Sequence, residues 1–595
     1  MSNPQEGRRR VVIEGVKPEI DGGLFPIKRT VGEKVVVEAD VFADGHDSLS
    51  SVLKYRREEN KEWLEVPMEF LGNDLWRGEF TVKDLGRYRY TLEAWVDRFK
   101  SWRQDFAKKV EAGQDVSVEL LMGVELIEEA SRRAMGADIK KLQEWAKALR
   151  AEQQNPSSKI SLALDEERSA LIDRYSDKHF GSSYGKELVV VVDREKARFS
   201  TWYEMFPRSC TSNQGKHGTF KDCERRLPYL ASMGFDVLYL PPIHPIGRTH
   251  RKGKNNVVGA GPDDPGSPWA IGSDEGGHKS VHPQLGTLDD FNRLVAKAGE
   301  YGIEIALDIA FQCSPDHPYV KEHPEWFRRR PDGTIQYAEN PPKSYQDIYP
   351  LNFETDHWHD LWQELKSVVL FWIKQGIRIF RVDNPHTKPF GFWEELIGQI
   401  KEDYPDVIFL AEAFTRPKVM YRLAKLGFTQ SYTYFAWRNT KWELTQYFTE
   451  LAQADVRDYF RPHLWPSTPD ILTEYLQSGG RPAFMTRFIL AATLGANYGI
   501  YGPAFELCED RPIEAGSEEY LNSEKYEIKR WDIERADSLK EFIGRVNQIR
   551  RENNALQSDW SLRFHRVDND QIVCYSKQTE DLGNTILIVV NLDPY

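Results

Sequence analysis

Residues 377–384 read IRIFRVDN, residues 407–414 VIFLAEAF and residues 464–470 LWPSTPD. Each is a short β-type run that leads to an acid: Asp383, Glu412 and Asp470. Apolar strands that deliver acids to one rim are how a (β/α)8 barrel assembles catalytic groups. Two acids flanking a glycosidic oxygen are the minimum machinery for retaining glycosyl transfer. One strand-end acid is as readily a helix cap. Three on strand–helix units of one alternating run favour the catalytic reading.

The same alternation of strand and helix runs from about residue 189 to 553, the signature of a parallel sheet. Further strands are expected in RFSTWYEMFP (198–207), FDVLYLPPIHP (235–245), IEIALDIAFQ (303–312), TQSYTYFAW (429–437) and YGIYGP (498–503), which makes eight in all. Residues 313–356 show no helical register and are too long for a plain connection, so they read as a functional excursion.

Before the barrel, residues 1–115 hold alternating runs such as EKVVVEADVFA (33–43), LWRGEFTV (75–82) and RYRYTLEAWVD (87–97), which predict an Ig-like β-sandwich. Residues 116–188 change to helical spacing in ELLMGVELIEEASRRA (119–134), ADIKKLQEWAKALRAEQQ (137–154) and LDEERSALIDRYSDKH (164–179). This insert is too small for a large core and is expected to pack on another domain or subunit. Residues 554–595 supply three strands, LRFHRV, QIVCYSK and NTILIVVNL, read as an incomplete C-terminal β-domain. The predicted fold class is therefore α/β: a (β/α)8 TIM barrel with an N-terminal β-sandwich, a helical insert and a truncated C-terminal β-domain.

The net charge of −13 argues against nucleic acid and anionic membranes as partners. The five cysteines form no CxxC pair, so neither a zinc site nor a disulfide framework is expected. MSNPQEGRRR is no secretory signal, and no apolar run of about 18 residues exists. The expectation is a cytoplasmic protein without metal or cofactor. Seventeen Trp and 26 Tyr are many, and sugar sites use such rings as stacking platforms, although most of them are core aromatics.

The motifs RVD at Arg381–Asp383, AEAF with Glu412, TPD with Asp470, LDIAF with Asp308 and YGIYGP make the chain resemble the α-amylase superfamily. Five longer segments narrow the resemblance: HPIGRTHRKGKNN (244–256), LDIAFQCSPDHP (307–318), NPPKSYQDIYPLNFE (340–354), FRVDNPHTKPFGFW (380–393) and PSTPDILTEYLQ (466–477). They resemble the maltosyltransferases that move maltosyl units from α-maltose 1-phosphate to α-1,4-glucans. The resemblance implies Asp383 as nucleophile, Glu412 as acid/base, Asp470 as transition-state stabiliser and Arg381 as support for the nucleophile. It implies phosphate contacts from Asn340, Lys343, Tyr345 and Asn384. It implies donor-sugar contacts from Lys252, Asn256, Gln312, Lys525 and Tyr526, and an orienting role for Asp308. Its members are homodimers, so a homodimer through the N-terminal and helical regions is expected.

There are departures. Where amylases carry histidines that hold sugar hydroxyls, the chain has Gln312–Cys313 and Pro469. His463 and Ser467 stand where the maltosyltransferases more often have asparagine. An amylase-type hydrolase or trehalose-forming isomerase with the same triad is the alternative enzyme. An inactive glycan-binding barrel is the alternative of another class.

Overall fold

The computed structural model describes residues 7–151, 155–211, 216–341 and 343–595. The chain divides into two compact units, Met1–Val192 and Asp193–Tyr595.

The first unit contains two antiparallel sheets. One has the order Val11–Lys17, Lys34–Ala43, Leu75–Thr81, Glu69–Gly72. In the other, Gly86–Val96 lies between Leu49–Arg57 and Leu188–Asp193. Strand Lys34–Ala43 alternates buried and half-exposed positions, with Val35, Val37, Ala39 and Val41 all buried, as a sheet with one face on a core requires. The helical stretch begins at Arg98, where the Asp97 side chain caps the first turn by accepting from Lys100 N–H. Its helices bury a core of their own around Phe99, Trp102, Phe106, Ile127, Leu142 and Trp145. They also leave Val118, Leu121, Met122 and Met135 more than half exposed.

The second unit is built on a closed barrel of eight parallel strands. They are β1 (Ser200–Glu204), β2 (Val237–Leu240), β3 (Glu304–Ile309), β4 (Ile379–Val382), β5 (Ile408–Ala411), β6 (Gln430–Tyr432), β7 (Pro462–Leu464) and β8 (Asn497–Tyr501). β8 closes on β1, with Asn497 opposite Ser200. The seventh strand ends at Leu464, so WPSTPD is a loop and Asp470 lies six residues beyond the strand. The strands are β-branched and aromatic and buried on both faces, the pattern of a parallel sheet covered by helices.

Each strand is followed by a helix: α1 (Phe220–Ser232), α2 (Leu288–Glu300), α3 (Trp358–Lys374), α4 (Phe390–Asp403), α5 (Pro417–Lys425), α6 (Lys441–Gln453), α7 (Glu474–Leu494) and α8 (Lys540–Glu552). α1, α2 and α6 start in capping boxes, Thr219 with Asp222, Thr287 with Asp290 and Thr440 with Glu443.

Alternation along the strands fixes what faces inward. Trp202, Tyr239, Ala306, Ile379, Leu410, Tyr432 and Trp465 belong to one buried cluster inside the barrel. Two residues further along the chain come Glu204, Asp308 and Arg381 on their strands and Glu412 just past its own, on the same inner face at the C-terminal rim.

The excursion after β3 has its own small structure. Gln312–Cys313 pairs antiparallel with Tyr349–Pro350, and Ala338–Asn340 forms a hairpin with Lys343–Tyr345. After α8, Arg563–His565, Ile572–Gln578 and Thr585–Asn591 form a three-stranded antiparallel sheet. Among the described residues, no helix is long and apolar enough to cross a membrane.

Candidate active site

Arg381 is the hub of the barrel mouth. Its Nη1 donates to Asp308 Oδ2 and to Asp383 Oδ1, each at 2.9 Å. Its Nη2 lies 3.1 Å from Glu412 Oε1. β3 and β4 place Asp308 directly opposite Arg381. Asp383 and Glu412 are the first residues past β4 and β5. Burial of this network is deep, at 1% exposure for Asp308, 5% for Arg381, 7% for Asp383 and 8% for Glu412. Three acids share one guanidinium, and a guanidinium offers enough rigid donors to serve them together.

Burial pushes the Glu412 carboxyl up, to about 8, against the opposing pull of Arg381; the charges of Asp383 and Asp470 push it the same way as burial. Asp308 is also held above the ordinary carboxyl range by burial, although Arg381 opposes this and Tyr239 and Trp269 hydrogen-bond it. Asn384 turns the backbone sharply after Asp383. It adopts a left-handed conformation, φ 42°, which asparagine tolerates better than most residues. The turn aims its N–H at Glu412 Oε2, 3.2 Å away, and its side-chain amide at Asp383 Oδ2, 3.4 Å away.

A second group stands on the loops. Lys525, after β8, forms an ion pair with Asp470, after β7. Lys252, after β2, is buried and donates to Gln346 Oε1 at 2.6 Å in the excursion. Tyr345 is near enough to Lys525 to help raise that ammonium's pKa, a shift in which Asp470 is the main attractive charge against the cost of burial. Tyr526 is buried beside Lys525, whose Nζ lies 5.9 Å from its ring centre. Asn256 takes φ 63° and buries an Oδ1 that has no hydrogen-bond partner among the described residues. Asn340 stands exposed, opposite Lys343 in the hairpin. The backbone of Lys343 forms that hairpin; its side chain lies outside the described residues.

Trp269 joins the two groups. Its indole N–H donates to Asp308 Oδ2 at 3.3 Å, and its carbonyl accepts from Gln312 Nε2 at 3.2 Å. Its ring lies under Lys525, 5.1 Å from Nζ to the centroid. Sequence reading passed over Trp269, and no periodicity could have found it in an irregular loop.

Glu204 was passed over as well, although it ends the first strand as Asp383 and Glu412 follow theirs. It is 1% exposed, and burial holds its carboxyl well above the ordinary range. Lys388 was a third omission; it is buried and donates to the carbonyl of Asn384 at 3.3 Å.

His463 lies below this layer rather than beside Asp470. It is fully buried against Trp202 and Trp465, and burial pushes its pKa far down, so it is neutral. Among the described residues, no cluster of three or more His, Cys, Asp or Glu is arranged to hold a metal ion.

The α-amylase catalytic-domain family matches residues 204–457. The family described as α-1,4-glucan:maltose-1-phosphate maltosyltransferase, domain N/S, matches residues 9–194, and one described as GLGE, C-terminal, matches residues 564–595. An α-1,4-glucan:maltose-1-phosphate maltosyltransferase of Chlorobaculum tepidum is 54% identical over 599 aligned residues, covering 100% of this chain and 89% of the relative. This chain belongs to the α-1,4-glucan:maltose-1-phosphate maltosyltransferase family.

Members from Myxococcus xanthus and Streptomyces coelicolor are 54% and 49% identical, each over 98% of this chain, and 89% and 87% of their own lengths are covered. Among solved structures, an α-amylase from Lactobacillus plantarum has a TM-score of 0.52 at 21% identity, over 67% of this chain and 90% of its own. A maltogenic α-amylase from Thermotoga neapolitana also has 0.52, at 20% identity, over 67% and 86%. At such identity the likeness shows the barrel fold alone. This maltosyltransferase-family chain keeps its acids at the barrel's C-terminal rim, where enzymes of that fold act.

Proposed function

We propose that the protein transfers maltosyl units from α-maltose 1-phosphate to the non-reducing end of α-1,4-glucans with release of phosphate. The observation that carries the mechanism is the single guanidinium of Arg381 bonded to both Asp383 and Glu412. Membership of the family supports the substrates.

An Asp383 carboxylate oxygen attacks the anomeric carbon, and the bond to phosphate oxygen breaks with its electron pair going to that oxygen, which takes the Glu412 proton and departs as hydrogen phosphate. A β-maltosyl ester results. Glu412 then takes the proton of an acceptor 4-hydroxyl, whose oxygen attacks the same carbon and releases Asp383. Two inversions retain the α configuration. The raised pKa of Glu412 suits a group that exchanges protons near neutrality. Asp470 binds donor-sugar hydroxyls, with Lys252, Asn256, Gln312, Lys525 and Tyr526 around them. Asn340, Lys343, Tyr345 and Asn384 receive the phosphate, and Asp308 orients Arg381.

The reading extends to a homodimer in the cytoplasm acting in glucan synthesis. The exposed apolar side chains Val118, Leu121 and Met122 on one helix support the dimer. The free cysteines, four of the five buried, suit a reducing compartment.

The test is phosphate release from maltose 1-phosphate in the presence of maltohexaose. Phosphate should appear in step with acceptors longer by two glucose units. Free maltose without elongation would make the protein a hydrolase instead.

A further inference from the structure

Two loops over the barrel mouth meet at a point that no step of the proposed reaction uses. Asn255, after β2, and Asn522, after β8, both hold left-handed backbone, each at φ 52°. Two hydrogen bonds join them. Asn522 N–H donates to Asn255 Oδ1 at 2.6 Å, and Asn255 Nδ2 donates to Asn522 Oδ1 at 3.1 Å. Lys254 reinforces the junction with an ion pair to Glu527 at 3.2 Å.

The junction completes a rim. On one side the β2 loop is held to the excursion, where the backbone amides of Arg248 and Thr249 donate to Asp316 Oδ2 at 2.6 and 2.7 Å. On the other, the β8 loop is held to its neighbours through Glu518, whose carbonyl accepts from Leu472 N–H and whose carboxylate accepts from Trp437 Nε1. A non-glycine residue pays conformational energy in left-handed backbone, and such positions persist where the surroundings impose them. Two of them facing each other mark a junction that the fold maintains.

We infer that the Asn255–Asn522 clasp is the end-stop of the donor pocket and sets how many glucose units the transferred glycone contains. This rests on the proposed function, in which Lys252 and Asn256 on one loop and Lys525 and Tyr526 on the other hold the donor sugar. A glycone with its anomeric carbon at Asp383 runs outward between these two loops. Joined, they bar a further unit; parted, they become the walls of an open groove. Asn255 and Asn522 act on specificity by positioning those loops, without touching the reacting atoms.

Glycine is the informative replacement at both positions, because it adopts the same backbone freely and removes only side-chain bonds. Transfer to maltohexaose is measured from α-glucosyl, α-maltosyl and α-maltotriosyl fluoride with wild type, Asn255→Gly, Asn522→Gly and the double variant. Wild type should favour the maltosyl donor. The double variant should raise kcat/KM for maltotriosyl relative to maltosyl fluoride by about tenfold, the scale of two ordinary hydrogen bonds. Its kcat for maltosyl fluoride should stay within about threefold while KM rises, since only donor binding is loosened.

The singles are asymmetric by construction. Asn255→Gly removes both bonds and should match the double, whereas Asn522→Gly keeps its backbone N–H and should shift the ratio less. An unchanged donor-length ratio in a double variant that still uses maltosyl fluoride would overturn the clasp and leave the functional reading standing. So would a larger shift from Asn522→Gly than from Asn255→Gly. Failure of wild type with all three fluorides would overturn the functional reading and the clasp with it.

Discussion

The guanidinium of Arg381 lies 2.9 Å from the carboxylate of Asp383, two residues further along the chain and just past the strand. The pair faces the same side because strand side chains alternate. The other terminal nitrogen is 3.1 Å from Glu412, so one side chain fixes both acids. Lysine carries the charge but not the fork, and cannot span both acids. Arg381→Lys should therefore lower kcat/KM by about a hundredfold or more, as expected when a charged hydrogen bond in a transition state is lost. Arg381→Met should in addition cost about 3–5 kcal/mol of folding stability, because it leaves buried acids unpaired. Steady-state kinetics and denaturant titration measure the two effects. Wild-type kinetics in Arg381→Lys would remove Arg381 from the mechanism.

Lys343 is proposed to meet the donor phosphate. Lys343→Ala should cost maltose 1-phosphate about 10²-fold or more in kcat/KM, the scale of a charged hydrogen bond. It should spare α-maltosyl fluoride, whose leaving group is compact and carries a single charge. Equal losses with both donors would assign Lys343 a structural role.

Much of the barrel was legible because its chemistry is periodic. IRIFRVDN and VIFLAEAF are short, apolar and β-branched, and their acids fall on the inner face by simple alternation. The seventh strand was less legible. Pro462–Leu464 is only three residues long, so the eye is drawn to the following WPSTPD, which is loop. Glu204 was legible and overlooked: STWYE ends in an acid just as the strands before Asp383 and Glu412 lead into theirs.

The rest of the site lies outside any local pattern. Trp269 reaches Asp308 across 39 residues, Lys525 reaches Asp470 across 55, and Asn255 reaches Asn522 across 267. Such contacts are made by irregular loops and leave no spacing to read. The helical stretch starts at Arg98 rather than near residue 116 as expected, and the signal passed over is the Asp97 cap before RFKSWRQDF.

Glu412 makes stability depend on pH with a definite sign. Its carboxyl has an ordinary value of 4.5 and is raised to about 8 in the fold. Between those values the folded chain keeps a proton that the unfolded chain has lost. Its contribution is complete below about pH 4.5 and falls away as pH rises toward about 8. Glu412→Gln removes that loss, so the variant should gain Tm relative to wild type as pH is raised through this window. A constant Tm difference across the window would contradict the raised pKa.

Val118, Leu121 and Met122 leave an apolar strip on a helix whose opposite side is buried. If that strip forms the proposed dimer, Leu121→Glu combined with Met122→Lys should yield a folded monomer in light scattering at micromolar concentration. A wild-type monomer under the same conditions, or a dimer unaffected by the pair, would place the contact elsewhere or nowhere.

The most direct test of the mechanism is to stop it halfway. Phosphate departing as hydrogen phosphate is a far weaker base than a sugar alkoxide and needs less help from Glu412, whereas an acceptor hydroxyl must be deprotonated to attack. Glu412→Ala should therefore slow the second half-reaction more than the first and accumulate the intermediate. Given maltose 1-phosphate or maltosyl fluoride, intact-protein mass spectrometry should show one added maltosyl unit. Peptide mapping should place it on Asp383 within FRVDNPHTK. A burst of leaving group with no adduct would contradict double displacement, and an adduct on another acid would overturn Asp383 as the nucleophile.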